Sequence, residues 1–376
     1  MQNIIHIVSN REWGGGEQYV LDLASRQRAD GIGVTVVCKP VESIRRKYDE
    51  AGLRVLTMPL GGVLDVRSAI ALAREVSRLS PPFPTRQRRA PLTVIHAHNF
   101  KDAFTACYAR RLSRRSDVRV VMCRHLTRKG KNTLPYRWLY RELDCLCLDS
   151  EVSRREFLST RPSIDPQKLR IVHTSIVVPR GVEAVDVRGR FDIPADAVIA
   201  MFHGRLDPEK GLDALLEAMA LLNGHLRGPQ ELRLVLVGRG SDEYTAHLVQ
   251  KAAELGITGS IVFAGFQHPV LPWVAAADVG VLASTVSEGC PLSPMEYMSQ
   301  GRPVVVTNNG GQCEYVADGS NGLLVTPGDV EALARALSSL AADPALRQRL
   351  GHQARADFDD HLSYDHFYQQ INAIYQ

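Results

Sequence analysis

Two short runs hold the charged residues best spaced for chemistry. One is Ser287-Glu288-Gly289-Cys290-Pro291-Leu292-Ser293-Pro294-Met295-Glu296, with seven residues between its two glutamates. The other is Gly204-Arg205-Leu206-Asp207-Pro208-Glu209-Lys210-Gly211. Carboxylates accept hydrogen bonds from hydroxyls, whereas guanidinium, ammonium and helix N-termini hold phosphate. Arg205 supplies a permanent charge on a rigid donor fork, and Lys210 a mobile point charge. As a diphosphate leaves, both would stabilise charge developing on the leaving oxygen. Together the runs read as a site for a sugar joined to a nucleoside diphosphate. Ser293-Pro294-Met295-Glu296 also satisfies a capping box, with Ser293 at N-cap, so Glu296 has a local structural role open to it as well. Glu288, followed by Gly289, has no such local role.

Three further groups are candidates. Trp13-Gly14-Gly15-Gly16-Glu17 follows the first strand and opens a helix, where consecutive glycines let backbone N–H groups approach phosphate or sugar. It is not GxGxxG, so a dinucleotide fingerprint is absent, and a simple turn also accounts for it. His96 and His98 fall on one face of a strand. A metal site there is conceivable, but only Asp102 is near in sequence and no clear third histidine joins them, so no metal is expected. His125, beside Arg124 at a strand's carboxyl end, is placed to hydrogen-bond a sugar hydroxyl or a phosphate.

The elements that must position these groups alternate along the whole chain. Strands are predicted at 4–9, 34–38, 54–58, 93–98, 118–123 and 145–149, then at 198–203, 232–238, 261–264, 279–283 and 303–308. Helical stretches lie between them, and Leu212, Leu215, Leu216, Met219 and Leu222 share one helix face. This is an α/β pattern of parallel units. A length of 376 residues calls for two domains. The expected division is an N-terminal domain 1–178, a linker 179–196 rich in Pro, Gly and charge, a C-terminal domain 197–358, and a C-terminal amphipathic helix 359–376. Ligands of open α/β sheets bind at the carboxyl ends of the strands. Residues 81–91, with prolines and Arg86, Arg88 and Arg89, read as an exposed loop.

No apolar run is long enough to span a bilayer, and the first residues read as a strand rather than a signal peptide. The 7 cysteines show neither a CxxC pair nor disulfide spacing, which points to a reducing, cytoplasmic setting. The net charge of +4 is unevenly spread: 11 Lys or Arg against the single acid Asp117 lie between Arg110 and Arg141. That stretch is read either as a solvated helix face with a loop, or as a surface for anionic lipid headgroups or an acidic acceptor. No nucleic-acid recognition motif accompanies it, and no nucleic-acid partner is expected.

With Leu236-Val-Gly238-Arg-Gly240, Val262-Phe-Ala-Gly265, Gly310-Gly311-x-x-Glu314 and Asn321-Gly322-Leu-Leu-Val, these runs resemble retaining glycosyltransferases of family 4, with the GT-B fold of two Rossmann-like domains facing across a cleft. The resemblance covers nearly the whole chain. It implies that Arg205 and Lys210 bind the donor diphosphate, Glu288 the sugar hydroxyls and Glu296 the ribose. Gly289, Cys290 and Leu292 would offer amides, and Gly204, Gly238, Phe266 and Gln267 would frame the nucleotide. The first domain would bind the acceptor and the second the nucleotide sugar; Gly15 and Gly16 would approach the phosphates, His125 would sit near the transferred sugar, and the C-terminal helix would cross back to the first domain. The implied activity is retaining, metal-independent transfer, without cofactor, from a nucleoside diphosphate sugar (UDP favoured, GDP as the alternative) to a hydroxyl of a glycan or lipid-linked glycan in envelope polysaccharide or lipopolysaccharide synthesis. The enzyme would sit in the cytoplasm or peripherally on the inner face of the membrane. A GT-B nucleotide-sugar epimerase and a non-catalytic nucleotide-sugar or glycan-binding module are the alternatives. Three departures stand out: Tyr297 where a small residue is common, His173–Pro179 in place of an Asn-Gly turn, and Cys290 in place of Phe or Leu.

Overall fold

The computed structural model describes residues 3–79, 93–225 and 231–376, with the side chains of 223–225 excepted. The predicted loop at 81–91 lies outside the described residues. Two compact units emerge, Met1–His173 with Tyr368–Gln376, and Thr174–Phe367. The stretch expected as a linker, 179–196, therefore packs with the second unit.

The first unit contains β1 (Asn3–Val8), α1 (Gly15–Ala29), β2 (Gly33–Cys38), α2 (Glu42–Glu50), β3 (Arg54–Thr57), α3 (Val66–Leu79), β4 (Thr93–Ala97), α4 (Phe100–Ser113), β5 (Val118–Arg124), α5 (Leu134–Glu142), β6 (Cys145–Leu148), α6 (Glu151–Leu158) and β7 (Leu169–Ile171). Its strands form one parallel sheet in the order β3-β2-β1-β4-β5-β6-β7. The alternation of β1 feeds both faces. Ile5 and Ile7 join the core with Leu72, Val76 and Phe104, while Val8 packs with Val20, Ile44 and Tyr48 on the other side. Burial on both faces is why these strands read as apolar runs rather than as an alternating pattern.

The second unit contains α7 (Val187–Arg190), β8 (Val198–His203), α8 (Leu212–His225), β9 (Leu232–Val237), α9 (Asp242–Glu254), β10 (Ile261–Gly265), α10 (Leu271–Ala276), β11 (Val279–Leu282), α11 (Leu292–Ser299), β12 (Val304–Thr307), β13 (Gly322–Val325), α12 (Val330–Ala342) and α13 (Pro344–Asp357). The sheet order is β10-β9-β8-β11-β12-β13, again parallel. The predicted face of α8 is the buried one, from Leu212 through Leu215, Leu216 and Met219 to Leu222. Helix α14 (Tyr364–Tyr375) begins in this unit and ends in the first. There the Tyr375 hydroxyl lies 2.7 Å from His96 Nδ1.

In each sheet the strand order reverses once, between β1 and β4 and between β8 and β11. The crevice at the carboxyl ends beside such a reversal is where doubly wound sheets take ligands.

Candidate functional site

In the second unit both predicted runs leave strands at the reversal, one after β8 and one after β11. Lys210 Nζ meets Glu288 Oε2 at 2.7 Å, and the other Glu288 oxygen accepts from the Ser284 hydroxyl. Both side chains of the ion pair are about one-fifth exposed, 21% and 20%. Arg205 projects from the same loop as Lys210, with Nε 3.4 Å from Asp207 Oδ2 and 69% of its side chain exposed. Its guanidinium is thus largely open to a ligand.

Glycines allow the backbones beneath these charges to close up. At Gly238 φ is +153°, and a Cβ there would lie 1.8 Å from the carbonyl oxygen of Gly204. At Gly211 φ is +68°, and a Cβ would lie 1.9 Å from the carbonyl oxygen of Ala283. Neither position admits a side chain without moving the loop after β8. The Gly238 amide donates to Gly265 O at 2.8 Å, which carries the loops across to β10. Phe266 stands 70% exposed just beyond, and Gln267 Nε2 donates to Ala264 O. Because β10 lies two strands from β8, this pair makes no direct contact with Lys210 or Glu288 among the contacts described.

Glu296 corrects one expectation. Helix α11 starts at Leu292 with Pro291 at its N-cap and no side-chain cap, so Ser293 does not begin a capping box. The Glu296 carboxylate, more than a turn into the helix, instead bonds His203 Nε2 at the end of β8. The neighbouring Tyr297 is fully buried, donates from its hydroxyl to Met201 O at 2.8 Å, and packs edge-on to His203. Room for it comes from Gly280 in β11, where a Cβ would lie 2.2 Å from the tyrosine ring. The unusual Tyr297 is thus matched by a glycine facing it. Gly289 and Cys290 complete the loop before α11, with Cys290 Sγ 3.9 Å from Thr174 O. The Glu288 carbonyl oxygen accepts from the Gly311 amide at 2.8 Å.

The first unit has its own cavity of about 440 Å³ at the β1–β4 reversal, lined in part by Gly16, His98, Arg124 and His125. Gly15 and Gly16 open α1, and a Cβ on Gly15 would meet nothing within 4 Å, so its backbone is accessible. The turn is tied by Glu17, which accepts from the Gly14 amide at 3.0 Å. The His125 ring stacks with His98 and packs on Tyr19. Burial lowers its pKa to about 4, so it is neutral at neutral pH. His125 Nε2 is buried without a hydrogen-bond partner.

The structure brings in a third histidine that sequence spacing did not connect to His96 and His98. His6, on β1 opposite His96 in register, joins His96 and His98, their ligating nitrogens all within 4.8 Å of one another. Hydrogen bonds already knit this cluster: His6 Nε2 to Gln27 at 2.8 Å and His6 Nδ1 to His98 Nε2 at 3.1 Å. Asp357 and Asp359, an Asp-x-Asp spacing that can hold a metal ion at phosphate, bond to Asn321 and Arg355.

The basic stretch 110–141 is not one face. Arg110 pairs with Glu142 and Asp144, Arg111 with Glu142, and Arg115 with Asp117. Tyr140 is buried in the core, and Tyr136 and Trp138, partly buried, pack against it. Among the described residues no helix is long and apolar enough to cross a membrane.

Two doubly wound units, each with its polar groups at the strand reversal, define the GT-B architecture. The profile of the Glycosyl transferases group 1 family covers residues 186–357, and that of the Glycosyl transferase 4-like domain covers 14–174. EpsD of Bacillus subtilis is 30% identical over 275 residues, 70% of this chain and 71% of that protein. The lipopolysaccharide core biosynthesis glycosyltransferase LpsE of Rhizobium meliloti is 40% identical over 177 residues, 46% of this chain and about half (48%) of that relative. Among solved structures, HepE of Anabaena in complex with UDP superposes with a TM-score of 0.80 at 20% identity, covering 99% of both chains. The chain belongs to the group 1 glycosyltransferases.

Proposed function

We propose that this glycosyltransferase moves a sugar from a UDP-sugar to a hydroxyl of a glycan or lipid-linked glycan in envelope polysaccharide or lipopolysaccharide synthesis, with retention of configuration. The observation that carries this reading is the Lys210–Glu288 pair at the β8–β11 reversal, with Arg205 exposed beside it. Arg205 and Lys210 take the diphosphate and hold its charge as it leaves. Glu288 accepts from the donor sugar's hydroxyls, and Glu296 from the ribose in place of His203. The amides of Gly289, Cys290 and Leu292 approach the sugar and phosphate, while Gly204, Gly238, Phe266 and Gln267 frame the nucleotide. In the first unit, Gly15 and Gly16 face ligand phosphate, and neutral His125 hydrogen-bonds the transferred sugar. Retaining glycosidases use a nucleophilic carboxylate about 5 Å from the acid. Glu288 is engaged by Lys210 and Ser284, so same-face substitution is the mechanism proposed, the departing phosphate taking the acceptor proton. Protein cations rather than a divalent ion meet the phosphate charge in this reading. UDP is preferred over GDP because HepE was solved with UDP and with UDP-glucose, and the polysaccharide setting follows the name of LpsE. A cytoplasmic location, at or near the inner face of the membrane, suits such an acceptor.

The test is a thermal-shift panel of UDP, GDP, ADP and their sugar conjugates, with and without magnesium. A ligand at a hundred times its Kd adds about 2.7 kcal/mol of stability. A shift by one diphosphate family that disappears in Arg205→Ala supports the assignment. Equal shifts in wild type and Arg205→Ala would remove it.

A further inference from the structure

The cavity at the β1–β4 reversal differs in kind from the donor site. In the second unit, Lys210 has a carboxylate partner. In the first, the cavity is lined by four cations, Arg124, Arg128, Lys129 and Lys131, and by no acidic residue. Arg128, Lys129 and Lys131 are exposed at the rim, and none of the four has a carboxylate within salt-bridge distance among the described residues.

Arg124 is the telling member. It closes β5 and is only 7% exposed, with its guanidinium carbon 5.3 Å from the centre of the Phe100 ring and 5.4 Å from that of Phe157. Its Nη1 is buried without a hydrogen-bond partner. Burying a charge without a hydrogen-bonded counterion is costly. Two aromatic faces offset part of that cost, yet a donor nitrogen remains idle. Burial pulls the Arg124 pKa down from its usual value, Tyr140 and Asp149 act in the opposite sense, and Arg128 lowers it further. A neutral sugar would leave this excess of positive charge as it stands. An anion with several oxygens would satisfy the buried nitrogen and bring a counter-charge to the other three cations.

With the first domain taken as the acceptor domain, as the resemblance implies, we propose that the acceptor entering this cavity is anionic, a saccharide carrying a phosphate that Arg124 anchors from below while Arg128, Lys129 and Lys131 close on it from the rim. This deepens the transferase reading above and rests on it for the word acceptor; the anion site itself stands on the cavity alone. The volume of about 440 Å³ lies in the range of small-molecule sites and admits a phosphorylated monosaccharide unit. Gly16 and neutral His125 also line this cavity and keep the roles toward the donor given above.

The phosphate comes from one of two sources, a sugar phosphate or the diphosphate of a lipid carrier, and the experiment separates them. Calorimetry on the full-length Lys210→Ala protein, in which the donor diphosphate site is weakened, measures binding of inorganic phosphate, a hexose monophosphate and farnesyl diphosphate. Glucose and glucuronate serve as the uncharged and carboxylate controls. The expected result is phosphate binding that weakens about tenfold or more in the Arg128→Ala/Lys129→Ala double variant, two rim positions whose removal leaves the core intact, and likewise in Arg124→Gln. Tighter binding of the hexose monophosphate assigns a sugar phosphate, and tighter binding of farnesyl diphosphate a lipid-borne one. Phosphate binding unchanged in the double variant, or glucose and glucuronate binding as well as the phosphates, overturns the proposal. UDP binding to the wild-type protein is measured alongside. Its loss would count against the donor reading and leave the anion site untouched.

Discussion

Acidification should destabilise the first unit through its buried histidines, and His6 allows the size to be worked out. Its ring is fully buried, and that burial lowers its pKa from 6.5 to about 4, partly offset by the bond to Gln27. The unfolded chain therefore takes up a proton near pH 6.5 that the folded unit refuses until about pH 4. Between those values the unfolded state binds more protons, so stability is complete above the unfolded pKa and is lost as pH falls. At about 1.36 kcal/mol per pKa unit the ceiling is roughly 3.4 kcal/mol, approached only below pH 4. At pH 5 the same linkage gives about 2 kcal/mol. The assay is urea unfolding followed by tryptophan fluorescence in a Trp273→Phe background, which leaves Trp13 and Trp138, both in the first unit. Adding His6→Gln removes one titrating group, while His96 and His98, also lowered by burial, titrate in both proteins. The stability difference between the two proteins should shift by about 2 kcal/mol from pH 7.5 to pH 5, in the direction that disfavours the histidine form. Parallel pH profiles, or a histidine form that gains on acidification, would refute the reasoning.

Arg205→Ala and Lys210→Ala should each lower kcat/KM by more than about 2 kcal/mol of transition-state stabilisation, and near-wild-type turnover in both would end the diphosphate assignment. Glu288→Gln frees Lys210 from its ion pair, so UDP should bind at least as tightly while turnover falls; a weakened UDP affinity would show that Glu288 supports the phosphate contact instead. Gly280→Ala forces a methyl against the Tyr297 ring and should cost about 1–3 kcal/mol in urea unfolding. Tyr297→Leu in the same chain should recover part of that loss, and strict additivity of the two changes would refute the packing argument. Turnover in excess EDTA should stay within about twofold of the untreated enzyme if protein cations alone meet the leaving charge, as proposed; a loss restored by magnesium would replace that mechanism with a metal-assisted one.

Where a side chain lies in its own element, the sequence was a good guide. The apolar runs at 198–203 and 232–238 become β8 and β9 because central parallel strands are buried on both faces. The face of α8 shows at helical spacing because only that side of the helix is buried. Partnerships across strands were out of reach. His203 is the hydrogen-bond partner of Glu296, but nothing in its local sequence separates it from any strand-terminal histidine. His6 meets His96 only through the β1–β4 register, so the three-histidine cluster could not be assembled from the spacing of His96 and His98. The capping-box reading at Ser293 failed because Pro291 ends the preceding extended chain and α11 starts one residue later, at Leu292. Short strands were also missed: Leu169–Ile171 at the edge of the first sheet is too brief to show a period. The run of basic residues is divided by contacts the sequence does not show: Glu142 and Asp144, which pair with Arg110 and Arg111, fall just past its end, while Arg124, Arg128, Lys129 and Lys131 line the first unit's cavity.

The two strand reversals solve opposite electrostatic problems. At the β8–β11 crevice the positive charge of Lys210 is stored against Glu288. In the reading proposed above, a diphosphate arriving there would compete with an internal carboxylate, and the donor sugar's hydroxyls would give that carboxylate new donors once Lys210 turned to phosphate. That exchange would leave Lys210 and Glu288 each partnered before and after binding, which would keep their desolvation penalty low at each stage. At the β1–β4 crevice no such internal partner is found among the described residues. Arg124 is held by aromatic faces that attract it without saturating its donors, so the missing partner must come from outside. A site that stores its counter-charge internally suits a ligand that changes charge during the reaction, as a departing nucleotide does. A site that leaves its cations open suits a ligand whose charge stays constant from binding to release, which is the condition of an acceptor whose phosphate takes no part in the chemistry.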